Sequence, residues 1–310
     1  MESTPAVDYT LGTGETAEDY PTVESRLDRA RGVVTTALTT YDNPVVCWTG
    51  GKDSTLLLWL VRQVAAERDL PVPPVVFIDH YQHFRETAAF VERWATRWKL
   101  DLHVARNRDF RTFEPGESVP VGALPERARR ELRTVLDYDR DEFTVSADTT
   151  EGAHMLTTRA LVDELENHGF DAVLTGVRWD EQYARADETF FSPRRDAPVP
   201  HDRVQPLLAL GERDVWAVTW ETVVPEAVVG YPMGHIPRNA ADLPPDLSVS
   251  DLPVAPQYFH GYRSLGTASG SGRESDRPAW VLAGNGMPER AARADEPEAY
   301  MRRLRELGYM

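Results

Sequence analysis

The apolar positions of the chain change period several times, and those changes mark out its elements. Val23, Leu27, Ala30, Val33, Val34 and Leu38 recur at helical spacing, which predicts a first helix over residues 22–40 with one buried stripe. Pro44 ends that pattern, and Val45, Val46, Cys47 and Trp48 form a short apolar run that reads as a buried strand. A polar turn over 49–55 leads into Leu56, Leu57, Leu58, Trp59 and Leu60. These start a helix that runs to about residue 68 and is stopped by Pro71, Pro73 and Pro74. VVFID at 75–79 is the second strand, 85–99 is an amphipathic helix through Phe90, Val91, Trp94 and Trp98, and 101–106 is the third strand. Helical spacing returns over 154–168 with Gly169 at a C-cap position, and 170–175 reads as a further strand. Strands alternating with helices predict an α/β fold with a doubly wound, mainly parallel sheet and helices on both faces.

Patterning also divides the chain. Residues 1–22 are polar and acidic and read as a flexible tail. Residues 23–237 form the α/β domain, interrupted by a weakly patterned insertion at 107–150, in which 119–125 reads as a loop and 126–136 as a helix. Residues 238–310 form a loop-rich extension ending in a helix.

Composition narrows the class. A hydrophobic content of 41% over 310 residues is enough for a core. No apolar run approaches the ~18 residues of a membrane span, and no charged-then-apolar start suggests a secretory signal. A single cysteine, Cys47, excludes a disulfide within the chain and a cysteine-held metal cluster, and its place in the first strand suggests a small core residue. These features fit a cytoplasmic enzyme. The formal charge is −16, which argues against nucleic acid or an anionic membrane as partner. All but Lys52 and Lys99 of the 34 basic residues are arginines. So acidic and lysine-poor a surface suits a salt-rich, halophilic interior, with GC-rich coding as the competing cause of the arginine bias.

Against that background, a lysine in the turn after the first strand stands out. In Thr49-Gly50-Gly51-Lys52-Asp53-Ser54-Thr55 the glycine pair lets the backbone approach a ligand, and the following amides sit at a helix N-terminus that favours an anion. Lys52, Ser54 and Thr55 add a cation and two hydroxyls, so the turn reads as a phosphate cradle. It is not the Walker A loop, which needs glycine where Val46 stands and Ser or Thr where Asp53 stands. Asp79 ends the second strand on the edge where parallel sheets bind ligands. His80 and His83 follow it, but two histidines without a third ligand are weak grounds for a metal site.

A second polar block follows the strand at 170–175. Gly176, Arg178, Asp180, Glu181, Arg185, Arg194 and Arg195 place alternating charge at the same sheet edge. Guanidinium groups fit phosphate and other oxyanions bidentately, while Asp180 and Glu181 could orient them or hold Mg²⁺ with the phosphates. A solvated helix laced with pairs such as Glu181–Arg185 would give a similar pattern.

Two resemblances bear on these residues. The turn resembles the S-G-G-x-D-S loop of the N-type ATP pyrophosphatases, which cut ATP between the α and β phosphates and hold the departing pyrophosphate. The second block, G-x-R-x-D-E-x-x-x-R-A-x-E-x-x-F-S, is similar to the small, nucleotide-binding subunit of two-subunit sulfate adenylyltransferases, in the phosphoadenylyl-sulfate reductase superfamily. RVQPLLALGERDVW at 203–216, HGYRSLGT at 260–267 and the closing ERAARADEPEAYMRRLRELGYM at 289–310 resemble that family as well. Departures are Gly211 for threonine, Thr157 where the family tends to carry lysine, and Thr267 for the cysteine of its L-G-C motif.

The resemblance implies ATP as a substrate, Mg²⁺ with it, sulfate as the acceptor, adenylyl sulfate and pyrophosphate as products, and a GTP-hydrolysing large subunit as partner. Lys52, Arg178 and Arg185 would then be catalytic. Thr49, Gly50, Gly51, Lys52, Asp53, Ser54, Thr55, Asp79, Gly176, Asp180 and Glu181 would contact the nucleotide. A lysine serving only the ligand would be replaceable by alanine with little loss of fold. Three other readings stand beside this one: a thiol-dependent reductase of adenylyl sulfate, an enzyme adenylylating another small acceptor, and a non-catalytic nucleotide-binding subunit.

Overall fold

The computed structural model describes residues 7–181, 185–284 and 289. Its first helix, α1 (Val23–Thr40), starts at a capping box in which the side chains of Thr22 and Ser25 each accept the other's backbone N–H. Strand β1 (Pro44–Cys47), helix α2 (Lys52–Glu67), strand β2 (Val75–Ile78), helix α3 (Arg85–Trp98) and strand β3 (Leu102–Ala105) follow in the order that the periodicity sets out. Every residue of α2 from Leu56 to Val61 is buried, because the helix lies between the sheet and α1.

The insertion has its own small core. Strands β4 (Ser118–Pro120) and β5 (Glu142–Thr144) pair antiparallel, and helix α4 (Glu126–Thr134) packs Leu132 against Val119, Phe110 and Phe143. The stretch expected as a loop at 119–125 therefore begins in a strand, because Val119 points into this cluster. Helix α5 (Thr150–Ala153) passes through a π-helical turn at His154–Thr158 into α6 (Arg159–His168), which ends on Gly169 in the left-handed conformation, φ 67°. Strand β6 (Ala172–Leu174) comes next.

Two strands without a clear apolar signal complete the sheet: β7 (Phe191–Arg194) and β8 (His201–Val204). The order is β3-β2-β1-β6-β8-β7, and all strands run parallel except β7, which is antiparallel to β8. Pro193 is tolerated because β7 is an edge strand. One apolar cluster joins α1, α2, α3 and helix α7 (Glu212–Val218) to one face of the sheet, and a second joins Ala160 and Leu165 of α6 to Val45, Val76 and Val173 on the other. Helices therefore cover both faces, as a doubly wound sheet requires.

Residues 7–20, included above in a flexible tail, lie against the domain instead. Tyr9 Oη donates to Asp202 at 2.7 Å, and the Tyr20 ring packs edge-on against Phe190 with centroids 6.3 Å apart. The apolar contacts of Tyr20 outweigh the polar composition around it. Residues 1–6, 182–184 and the expected closing helix within 290–310 lie outside the described residues. Among the described residues, no helix is long and apolar enough to cross a membrane.

Candidate functional site

The turn after β1 folds on itself before it can meet a ligand. Gly50 takes φ +76°, open to glycine at low cost, and Gly51 is the N-cap of α2. The Ser54 hydroxyl accepts from the Thr49 amide at 3.1 Å and donates to the Gly51 carbonyl at 3.1 Å, so the loop is closed by its own residues. The amides of Asp53 and Ser54 belong to the first helical turn, where no intrahelical acceptor exists. Gly176, after β6, comes so close that a Cβ there would lie 2.9 Å from the backbone of Asp53 and Ser54. A residue with any side chain would push the two segments apart.

Four charged groups surround the loop lysine. Lys52 Nζ donates to Asp53 Oδ2 at 3.0 Å and to Glu289 Oε1 at 2.5 Å. Arg178, with no exposed surface, donates to Asp180 Oδ1 at 2.9 Å and to both Asp53 and Glu289. Burial would raise the Glu289 carboxyl, but Lys52 and Arg178 outweigh burial and hold it below the usual carboxylate range. Burial likewise works against the Arg178 charge, and Glu289 and Asp180 reverse that effect. The Lys52 amide donates to the hydroxyl of buried Tyr258 at 2.9 Å, so the C-terminal extension reaches into the loop.

A cavity of about 430 Å³ opens along the carboxyl edge of the sheet, within the ~300–1,000 Å³ typical of small-molecule sites. It runs from Ile78 at the end of β2 and His80 and His83 after it, past the glycine-rich loop and Gly176, to Arg185, Arg194 and Arg203. The extension roofs it: Ala268 N donates to the Gln82 carbonyl at 2.8 Å, and the Thr267 hydroxyl to Asp148 at 2.5 Å. Arg263, also buried, ties the roof to α7 through Glu212 at 2.6 Å and pairs within the extension with Glu274 at 3.3 Å. Two of the recognised segments, 203–216 and 260–267, are joined by the Arg263–Glu212 pair.

The residues singled out above divide into two groups. Thr49, Gly51, Lys52, Asp53 and Ser54 line the cavity, together with Gly176, Glu181 and Arg185. Gly50, Thr55, Asp79, Arg178 and Asp180 do not, and each has other work. Gly50 makes the turn. Thr55 accepts from Trp48 Nε1 at 3.0 Å inside the core. Asp79 accepts from the Tyr81 amide and from Arg106 Nε, both at 2.8 Å. Both oxygens of Asp180 are committed, one to Arg178 and the other to the Glu212 amide at 2.8 Å. Arg178 is thus a buried clamp on Asp53 and Glu289 rather than a wall of the cavity, and Arg195 pairs with Asp202 at 3.0 Å.

Cys47, expected in the core, is half-buried on the cavity floor, and burial pushes its thiol up, so it is not set up as a thiolate nucleophile. His80 and His83 stack with ring centroids 3.6 Å apart, and burial lowers His83. Tyr258, Glu289, Thr175 and Arg203 were not singled out from sequence. Arg203 and Glu289 left a trace there, as the first residues of the segments at 203–216 and 289–310.

A parallel sheet with a glycine-rich loop after its central strand and a cavity at its carboxyl edge defines an adenine nucleotide α-hydrolase-type α/β fold. Residues 43–227 match the family described as the phosphoadenosine phosphosulfate reductase domain, and the chain belongs to that family. Two curated relatives carry the name sulfate adenylyltransferase subunit 2. The one from Azospirillum brasilense is 30% identical over 74% of this chain and 65% of its own length. The one from Myxococcus xanthus is 30% identical over 57% of this chain and 55% of its own. The chain therefore spans less than two thirds of each. In fold it is similar to the phosphoadenylyl-sulfate reductase of Candida auris, at TM-score 0.50 and 14% identity over 80% of this chain and 95% of that one.

Proposed function

We propose that this chain adenylylates sulfate at the expense of ATP and is the nucleotide-binding subunit of a two-subunit sulfate adenylyltransferase. The observation that carries the reading is a cavity that joins the loop around Lys52 to a bank of arginines. The curated relatives of the same name support it. ATP would lie with its β and γ phosphates on Gly51, Lys52 and Ser54 and its α-phosphorus near Gly176. A sulfate oxygen would attack that phosphorus in line. The new S–O–P bond forms as the Pα–O bond breaks, the electron pair leaves on pyrophosphate, and no proton moves.

Positioning and charge neutralisation would supply the rate, which agrees with a site that needs no side-chain nucleophile. Mg²⁺ bound with the triphosphate would neutralise part of its negative charge. Glu181 faces the cavity and would hold such an ion, whereas the two oxygens of Asp53 and of Asp180 are already engaged. The name "subunit 2" of the relatives supports a partner subunit, and the resemblance in sequence supports one that hydrolyses GTP, since adenylyl sulfate formation is strongly uphill. The reductase reading is weakened by Cys47, whose thiol is held protonated.

The test is ATP–pyrophosphate exchange in high salt with Mg²⁺, with and without sulfate and a co-purified large subunit. Sulfate-dependent exchange is the expected result. ATP binding with no exchange under any sulfate condition would point to another acceptor or to a non-catalytic subunit.

A further inference from the structure

The cavity changes character along the sheet. Its β2 end is lined by Ile78, His80 and His83, and its middle by the phosphate loop. Beyond β6, on the side away from the loop, β8 and β7 bring Arg203 and Arg194 to the same wall as Arg185. Ser192 of β7 pairs with Arg203 of β8, which fixes the two arginines in neighbouring strands. Two carboxylates face them: Glu181 lies 3.4 Å from Arg185, and Glu188 lies 3.9 Å from Arg194 while also accepting from Gln205 at 2.9 Å. Among the described residues lining this end of the cavity, three guanidinium groups stand against two carboxylates.

Thr175, immediately after β6, adds a second and independent sign of a ligand. Its side chain is only 8% exposed, it lines the cavity, and its hydroxyl has no hydrogen-bond partner among the described residues. A buried hydroxyl left in this way is costly unless something polar meets it. Burial and the nearby Arg194 also push Arg203 down to about 10.

We propose that Arg185, Arg194 and Arg203, with the Thr175 hydroxyl, form a discrete subsite for the acceptor's tetrahedral oxyanion, separated from the phosphate loop by β6. The proposal rests on the adenylyl-transfer reading and deepens it. The loop holds the leaving group and the arginine bank holds the attacking group, with the α-phosphorus between them over Gly176. An anion on this bank is presented from the side opposite the departing pyrophosphate, as in-line displacement requires. Arg203 thereby becomes a substrate-binding residue.

The experiment is calorimetric titration of the full chain, preloaded with α,β-methylene-ATP, with sulfate, selenate and phosphate in turn. Wild type, Arg194→Gln, Arg203→Gln and the charge-preserving Arg203→Lys are compared, with circular dichroism as the check on folding. The expected result is oxyanion affinity weakened about tenfold or more in each Gln variant, a smaller loss in Arg203→Lys, and nucleotide affinity unchanged within about twofold. Should Arg203→Gln fail to fold, Arg194→Gln on the edge strand gives the same reading.

Unchanged oxyanion affinity in the folded variants would overturn the subsite. So would a parallel loss of nucleotide affinity, because the arginines would then serve the triphosphate. Failure of every oxyanion to bind folded wild type would overturn it as well. Arginine-dependent binding of an oxyanion other than sulfate would keep the subsite and remove sulfate as acceptor, so the two claims fail separately.

Discussion

Lys52 meets two carboxylates in this structure, and a phosphate would compete with both for one ammonium group. Its side chain is 1% exposed, so its removal leaves Glu289 with Arg178 alone in a dry site. The sequence-based expectation that Lys52 could be replaced with little loss of fold is therefore revised. Lys52→Gln should cost about 1–3 kcal/mol of stability, the range for a buried charged hydrogen bond, and abolish most ATP turnover. Lys52→Gln/Glu289→Gln should recover most of the stability and none of the turnover. Chemical denaturation with parallel activity assays separates these effects, and equal recovery of both would show that Lys52 acts on the fold alone. Gly176 carries a second expectation at this scale. Gly176→Ala should cost about 1–3 kcal/mol by overpacking and weaken nucleotide binding, because the new methyl meets the Asp53–Ser54 backbone. A variant with wild-type melting temperature and ATP affinity would contradict that close approach.

At the scale of elements, β1, α2 and β2 were legible because each is an uninterrupted apolar or amphipathic run, and the Gly50-Gly51 pair marks the turn between the first two. Strands β7 and β8 were not. FSPR and HDRV carry arginines that line the cavity and a proline on the edge, so the alternation that signals a strand is broken by function. Thr55, Asp79 and Asp180 were expected to touch nucleotide, and Arg178 to be catalytic, because a motif gives residue types and spacing. It does not give the direction in which a side chain points. Glu289 opens the recognised segment at 289–310, but its role could not be read, since its partners lie more than 100 positions away in the chain.

Strand β8 also carries a titratable load. Burial holds His201 down at about 4 from an ordinary 6.5, with its ring donating from Nδ1 to the Val199 carbonyl at 2.8 Å. The unfolded imidazole takes up its proton first as pH falls. Stability present above pH 6.5 is thus lost progressively toward pH 4, at up to about 1.4 kcal/mol per pH unit. In His201→Gln the slope of unfolding free energy against pH should flatten across that window. An unchanged slope would show that His201 is not the group responsible.

For the molecule as a whole, a net charge of −16 makes the compact state repel itself. Raising salt from about 0.1 M to about 1 M shortens the screening length from about 10 Å to about 3 Å. The melting temperature should rise over that range, and a fall would argue that specific ion pairs such as Arg263–Glu212 dominate over the collective field. The same charge explains why the anionic substrates of the proposed function would need a concentrated basic wall to be captured.

The central claim is cleavage of ATP between its α and β phosphates at the Lys52 loop. The measurement that tests it most directly follows ATP labelled in turn at the α and γ phosphorus through turnover with sulfate and Mg²⁺. The account predicts γ label released as pyrophosphate and α label retained in an adenylyl product. Release of γ label as orthophosphate, with the α label in ADP, would contradict it.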